Sequence, residues 1–221
     1  MSQHPPKGTF NRNIKVRDMP SSKKAAILDA ATKMFLDLGY GATSMNALVA
    51  KIGGSKATIY AHFTSKQVLF EAVTEHVLEK HITAIHSDEL KNLGLKEGLM
   101  VIGQKLLELV SSDHHIRLSR LVMAETPNFP EIGRAYYDRG PLIANKDISA
   151  FLISATQGSE KKLPDPDKTA SHFSAMLIHH IFLERLCGKC NVPSAKKIRA
   201  ITEDTVDDLL KIYNLEQESD R

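Results

Sequence analysis

With 221 residues, 42% of them hydrophobic and 25% charged, the chain has enough apolar side chains to bury a core in one large domain or two small ones. No apolar run approaches the roughly 20 residues of a membrane-spanning helix, the segment MSQHPPKGTF lacks an apolar signal core, and two cysteines cannot build a disulfide framework, so a cytoplasmic protein is expected. The net charge of +3 is unevenly spread: residues 1–66 carry ten Lys/Arg against three Asp, a balance of +7, which leaves −4 for the rest. That polarity suits a chain with one end facing a polyanion, and equally a basic tail on a neutral fold.

Residues 1–20 mix Pro5, Pro6, Gly8 and Pro20 with scattered charge and read as a flexible basic arm. From about residue 22, Ile27, Ala31, Met34, Phe35 and Leu38 recur at three- and four-residue intervals, predicting an amphipathic helix that Gly39 and Gly41 stop. Thr43 and Ser44 offer cap hydroxyls to a short second helix carrying Leu48 and Ile52, closed by Gly53-Gly54. A third, Ser55 to His62, follows at once, and Thr64-Ser65 restart the chain as a longer helix with Leu69, Val73, Val77 and Ile85 on its inner stripe. Two short helices joined by a glycine turn and braced on each side make a helix-turn-helix unit, here expected over 21–66. Beyond it the pattern stays helical: Leu99 to Val110, then Ile116 to Val122, prolines 127, 130 and 141 as breaks or kinks, a loop at 158–166, and two last helices at about 167–187 and 194–214. The fold class expected is all-α, about nine helices, with residues 67–221 as a larger second domain.

A short helix after a tight turn fits the major groove, and side-chain position then decides role. Stepping about 100° per residue places Ile59 and Phe63 on one side of the third helix and Ala57, Thr58 and Ala61 on the other. Ala57 and Ala61 suit thymine methyls, Thr58 a base or phosphate, and Lys56 guanine O6/N7. Tyr60, His62 and Lys66 flank this face as phosphate donors, and Thr43 and Ser44 add hydroxyls at the start of the second helix. Each residue also has a plain structural reading as a cap, a surface aromatic or a solvated side chain.

The run TSMNALVAKIGGSKATIYAHFTSKQVLFEAV resembles the DNA-binding signature of the TetR family of bacterial transcriptional regulators, a match spanning residues 22–72. The resemblance implies a nine-helix subunit, a homodimer on an operator in double-stranded DNA, and a C-terminal domain that binds an inducer and alters the spacing of the two DNA-reading heads. Carried onto this chain, base contacts fall on Met45, Lys56, Ala57 and Thr58, and phosphate contacts on Thr43, Ser44, Tyr60, His62 and Lys66. Gly54 stands where a branched apolar residue is usual, and Ala61 where a larger or basic one is common. The segment RLSRLVMAETPNFPEIGRAYYDRGP, residues 117–141, is similar to the AefR-like C-terminal domain of a subgroup of these regulators, several of which repress efflux or lipid-related genes.

A ligand-released repressor without catalytic activity is therefore expected. Its pocket residues are expected among Leu106, Leu121, Met123, Tyr136, Tyr137, Phe151 and Met176, with Glu125, Tyr137 or His180 as polar groups that orient a small apolar or amphipathic molecule. Dimerisation is expected on the last two helices through Phe173, Met176, Leu177, Ile181, Leu209 and Leu210, all of which also read as core. An enzyme would need a nucleophile-base pair, a phosphate loop or a metal cluster, and the sequence has no Gly-rich phosphate motif, no His-Glu-x-x-His and no convincing carboxylate pair. Cys187-Gly-Lys-Cys190 has the spacing of a dithiol pair and opens an alternative, a redox- or metal-responsive regulator with the same head. No cofactor and no four-ligand metal set is expected.

Overall fold

The computed structural model describes residues 21–52, 56–82, 90, 93–157 and 163–215, and no strand occurs among them. The helices are α1 (Ser21–Leu38), α2 (Met45–Ile52), α3 (Lys56–His62), α4 (Lys66–Ile82), α5 (Leu95–Ser111), α6 (Asp113–Glu125), α7 (Pro130–Arg139), α8 (Pro141–Ala155), α9 (Pro166–Leu186) and α10 (Ala195–Ile212). Ten helices occur among the described residues, against about nine expected, and only Gly140 separates α7 from α8. The N-terminal arm, the Gly53-Gly54-Ser55 turn, Ile85 and the start of the 158–166 loop lie outside the described residues.

The caps explain most boundaries. Ser44 Oγ accepts from Ala47 N–H at 3.1 Å and Ser65 Oγ from Val68 N–H at 3.1 Å, so one serine opens α2 and another α4. Ser112, Asp165 and Ser194 do the same for α6, α9 and α10. Pro130, Pro141 and Pro166 open helices, because proline's missing N–H falls where the first turn has no acceptor for one. Gly39 at φ +88 and Gly188 at φ +72 end α1 and α9 in the left-handed region that side chains disfavour.

Two apolar clusters hold the chain. The body cluster joins Leu99, Ile102 and Leu106 of α5 to Ile148 and Leu152 of α8, Phe173, Leu177 and Ile181 of α9, and Val206 and Leu209 of α10. The second gathers Ile27, Phe35, Leu48, Ile59 and Phe63 from α1–α3, then Leu69, Phe70 and Val73 from α4, and also Leu118 and Val122 of α6 and Ile132 of α7. The head's core therefore continues past residue 66 into α4, α6 and α7. Three short helices alone bury too little apolar surface to stand by themselves.

Five expected dimer residues have a different role. Phe173, Leu177, Ile181 and Leu209 are at most 1% exposed and Leu210 is 6% exposed within the single chain, so they fill the subunit's own core and leave no surface for a second copy. The apolar excess on these helices is the demand of a body in which α9 packs against α5, α6, α8 and α10.

Candidate nucleic-acid interface

The sequence of α3 divides its faces as its period dictates. Ile59 and Phe63 are 2% and 1% exposed, tied by Phe63 N–H to Ile59 O at 2.8 Å, whereas Lys56, Ala57 and Ala61 face solvent. Fully burying two such side chains contributes about 1.5–3 kcal/mol each, enough to seat a seven-residue helix with no stability of its own. Tyr60 is half-buried, with the Lys56 ammonium 5.6 Å from its ring centroid. His62 is also half-buried, and its Nδ1 has no hydrogen-bond partner among the described residues. The side chain of Thr58 lies outside the described set.

At the start of α2, Ser44 is exposed and Met45 is half-buried against the head core. Thr43 is not available to a phosphate: it is 1% exposed and its hydroxyl donates to Gly39 O at 2.7 Å, closing the turn after α1. Lys66 is engaged as well. Its ammonium donates to Tyr40 O at 2.9 Å and Gly41 O at 3.3 Å and sits 4.4 Å from the Tyr40 ring centroid. Lys66 thus caps the α1–α2 turn as a structural cation, because two carbonyls and an aromatic face converge where its chain reaches.

That turn is docked onto the body. Glu125 Oε1 accepts from Gly41 N–H at 3.3 Å, and the Phe129 ring meets Tyr40 edge-on at 5.1 Å. Tyr40 is 3% exposed, and burial, reinforced by the carboxylates of Glu131, Glu71 and Glu125, pushes its phenol up to about 12. Two further links reach the head from the body. Arg117 Nη2 donates to Asp37 Oδ1 at 2.8 Å and to Leu36 O at 3.4 Å, and Arg139 pairs with Glu71 and Glu75 of α4. Sequence reasoning missed these arginines, whose spacing does not set them apart from solvated charges.

The expected ligand residues do not converge. Met123, Tyr137 and Met176 are 53%, 57% and 38% exposed, and His180 is exposed beside Glu184. Leu106 and Phe151 are body core, Leu121 and Tyr136 pack against the head-side cluster, and Glu125 is held by Gly41. Tyr136 is the best placed polar group: its hydroxyl meets Ser119 Oγ at 2.9 Å and His115 Nε2 at 3.0 Å, and burial raises its pKa against the opposing Ser119 bond. A cleft of about 540 Å³ lies elsewhere, between α5 and α10, lined by Leu95, Lys96, Met100, Gln104, Arg199 and Glu203. None of the expected ligand residues lines it. Amphipathic period alone cannot distinguish a helix face turned to solvent from one lining a pocket.

A short outward helix, braced by a buried-faced partner and set on an all-helical body, defines the class: a helix-turn-helix regulator. The comparisons agree. A family model described as "Bacterial regulatory proteins, tetR family" matches residues 27–73, and one described as "AefR-like transcriptional repressor, C-terminal domain" matches residues 97–215. The chain belongs to the TetR family. The HTH-type transcriptional repressor ComR of Escherichia coli is 42% identical over 65 residues, 29% of this chain and 30% of ComR, so the match spans under a third of that relative's length. Two solved structures cover more: a TetR-family regulator from Mesorhizobium loti, with 27% identity, 87% of this chain, 96% of that one and a TM-score of 0.74, and the flavonoid-responsive regulator FrrA, with 26% identity, 87% and 97% coverage and a TM-score of 0.73.

Proposed function

We propose that the chain is a homodimeric, non-catalytic repressor that binds an operator in duplex DNA and is released by a small amphipathic molecule. The observation that carries the reading is the split of α3, with Ile59 and Phe63 buried while Lys56, Ala57 and Ala61 face solvent. A face of small side chains lets the helix approach base edges closely, and Lys56 at its entering end supplies the donor that guanine O6/N7 accepts. Ser44, Tyr60 and His62 flank it as phosphate contacts and Met45 as a further base contact. Ser44 uses one lone pair for Ala47 N–H and keeps its own hydrogen to donate.

The paired copy docks through the exposed stripe of α9, where Met176 and Leu183 are 38% and 48% exposed at a two-turn spacing. Each head then reads a half-site about 34–36 Å, one helical turn, from its twin. Names of relatives support repression, and the flavonoid-responsive FrrA supports an amphipathic inducer. No helix among the described residues is long and apolar enough to cross a membrane.

The test is binding of the full chain to duplex from its own upstream region, read by fluorescence anisotropy over a salt series. Lys56→Ala should cost about 1–3 kcal/mol with specificity relaxed at one position, and Tyr60→Phe should weaken binding about equally for all sequences with the salt slope unchanged, because a neutral hydroxyl on a phosphate releases no counterion. Equal affinity for upstream and scrambled duplex would reject the reading. A flavonoid should lower the affinity, and no effect from any amphipathic compound would reject the inducer class.

A further inference from the structure

Cys187 and Cys190 flank the turn that ends α9, and repression and inducer release leave both unused. Cys187 is exposed, whereas Cys190 is half-buried against the body core. The turn between them is closed by Gly188 N–H to Arg185 O at 3.1 Å and Lys189 N–H to Glu184 O at 2.8 Å, with Gly188 at φ +72. Two arginines grip it. Arg185 is 8% exposed and donates to Ser111 O at 2.9 Å and Cys190 O at 3.0 Å, and Arg120 of α6 donates to Leu186 O at 3.0 Å and Arg185 O at 3.1 Å. A Cβ at Gly188 would lie 3.9 Å from Arg120 Nη2, so that guanidinium sits over the dithiol turn itself.

The same α6 holds the head. Arg117, one helical turn before Arg120 and about 4.5 Å along the axis, donates to Leu36 O and Asp37 at the end of α1. Two adjacent arginines therefore bind the carbonyl ends of two helices, one carrying the thiols and the other entering the DNA-reading head. Cations at helix C-termini are favourable, which gives both contacts a physical reason.

We propose that the Cys187–Cys190 turn is a thiol oxidation site whose state is passed to the head through Arg120 and Arg117. A hydroperoxide oxidises the exposed Cys187 thiol to a sulfenic acid: sulfur takes one peroxide oxygen, the O–O bond breaks and an alcohol or water leaves. The Cys190 sulfur then attacks that sulfur, the S–O bond breaks, the S–S bond forms and water departs, so two thiols have given two electrons to one peroxide. A disulfide fixes both Cα atoms within about 4.4–6.8 Å. Closing that ring constrains the turn whose carbonyls, those of Arg185, Leu186 and Cys190, the two arginines hold. Among the described residues, no group of three or more His, Cys, Asp or Glu is placed to hold an ion.

The regulatory half rests on the head binding DNA, and the experiment keeps the two apart. The full chain is treated with dithiothreitol or hydrogen peroxide, its mass and free thiols are measured, and its affinity for upstream duplex is read in both states. Loss of about 2 Da within one chain and of both free thiols is expected, with affinity for duplex changed at least about 5-fold and restored by dithiothreitol. Cys187→Ser with Cys190→Ser should bind DNA alike in both conditions. Arg120→Gln should still lose the mass yet show a smaller change in affinity. Two free thiols after peroxide, or a disulfide only between chains, overturns the site. A disulfide formed with affinity unchanged overturns the coupling, and failure of the reduced chain to bind DNA faults the function proposed above while the mass result still stands for the thiols.

Discussion

Lys66 shows how one side chain is assigned by its neighbours. In chain order it follows the recognition helix and suits a phosphate, yet its ammonium lies against Tyr40 O, Gly41 O and the Tyr40 ring. Lys66→Met keeps the aliphatic stem and removes the charge, so it should lower the unfolding free energy by about 1–2 kcal/mol in urea titration; a lysine serving DNA alone would leave stability unchanged. Tyr40 beside it gives a pH signature. Its folded-state pKa of about 12 lies above the ordinary 10.0, so the folded chain keeps a proton that the unfolded chain releases. The stability this represents is complete below pH 10 and is lost as pH climbs toward 12. Tyr40→Phe keeps the ring contacts and should flatten that alkaline decline, measured as Tm against pH.

At the level of elements, the decisive contacts are those between helix backbones and rings. Gly98 is the point where α8 meets α5: a Cβ there would lie 2.1 Å from the Phe151 ring. Gly98→Ala should overpack the interface by about 1–3 kcal/mol, lowering Tm, and Phe151→Leu in the same chain should recover part of the loss by clearing the ring. Helix α3 depends on the head core in the opposite sense. Ile59→Ala leaves a hole under a seven-residue helix and should cost about 2–5 kcal/mol. The exposed Lys56 and Ala57 tolerate change with little effect on stability, so a duplex-binding loss at those positions reports on recognition and not on folding.

For the whole molecule, α6 and α4 connect the body to the head. Arg117 reaches Asp37, Glu125 reaches Gly41, and Arg139 reaches Glu71 and Glu75, so the body is tied to the head by short polar links over a shared apolar core. The proposed dimer contact uses what remains exposed on α9. Leu183→Glu should turn a dimer into a monomer in analytical ultracentrifugation with Tm nearly unchanged, whereas Leu177→Ala, in the body core, should cost about 2–5 kcal/mol of folding stability. Equal dimer content in Leu183→Glu and the parent chain would place the interface elsewhere.

Most helices were legible from residue order, since period, the hydroxyls of Ser44 and Ser65, and Gly39 act within a turn or two of chain, whereas Pro130, Pro141 and Pro166, read as breaks or loop, open helices. The outward face of α3 was legible too, because Ile59 and Phe63 mark its buried side one turn apart. The partners of Lys66, Glu125, Arg117 and Arg120, and the burial of Phe173, Leu177 and Leu209, emerge only once the helices are packed. The reason is reach: periodicity says which face of a helix is apolar, whereas which helix covers that face, and which carbonyl a long side chain finds, depends on residues as many as 84 positions away.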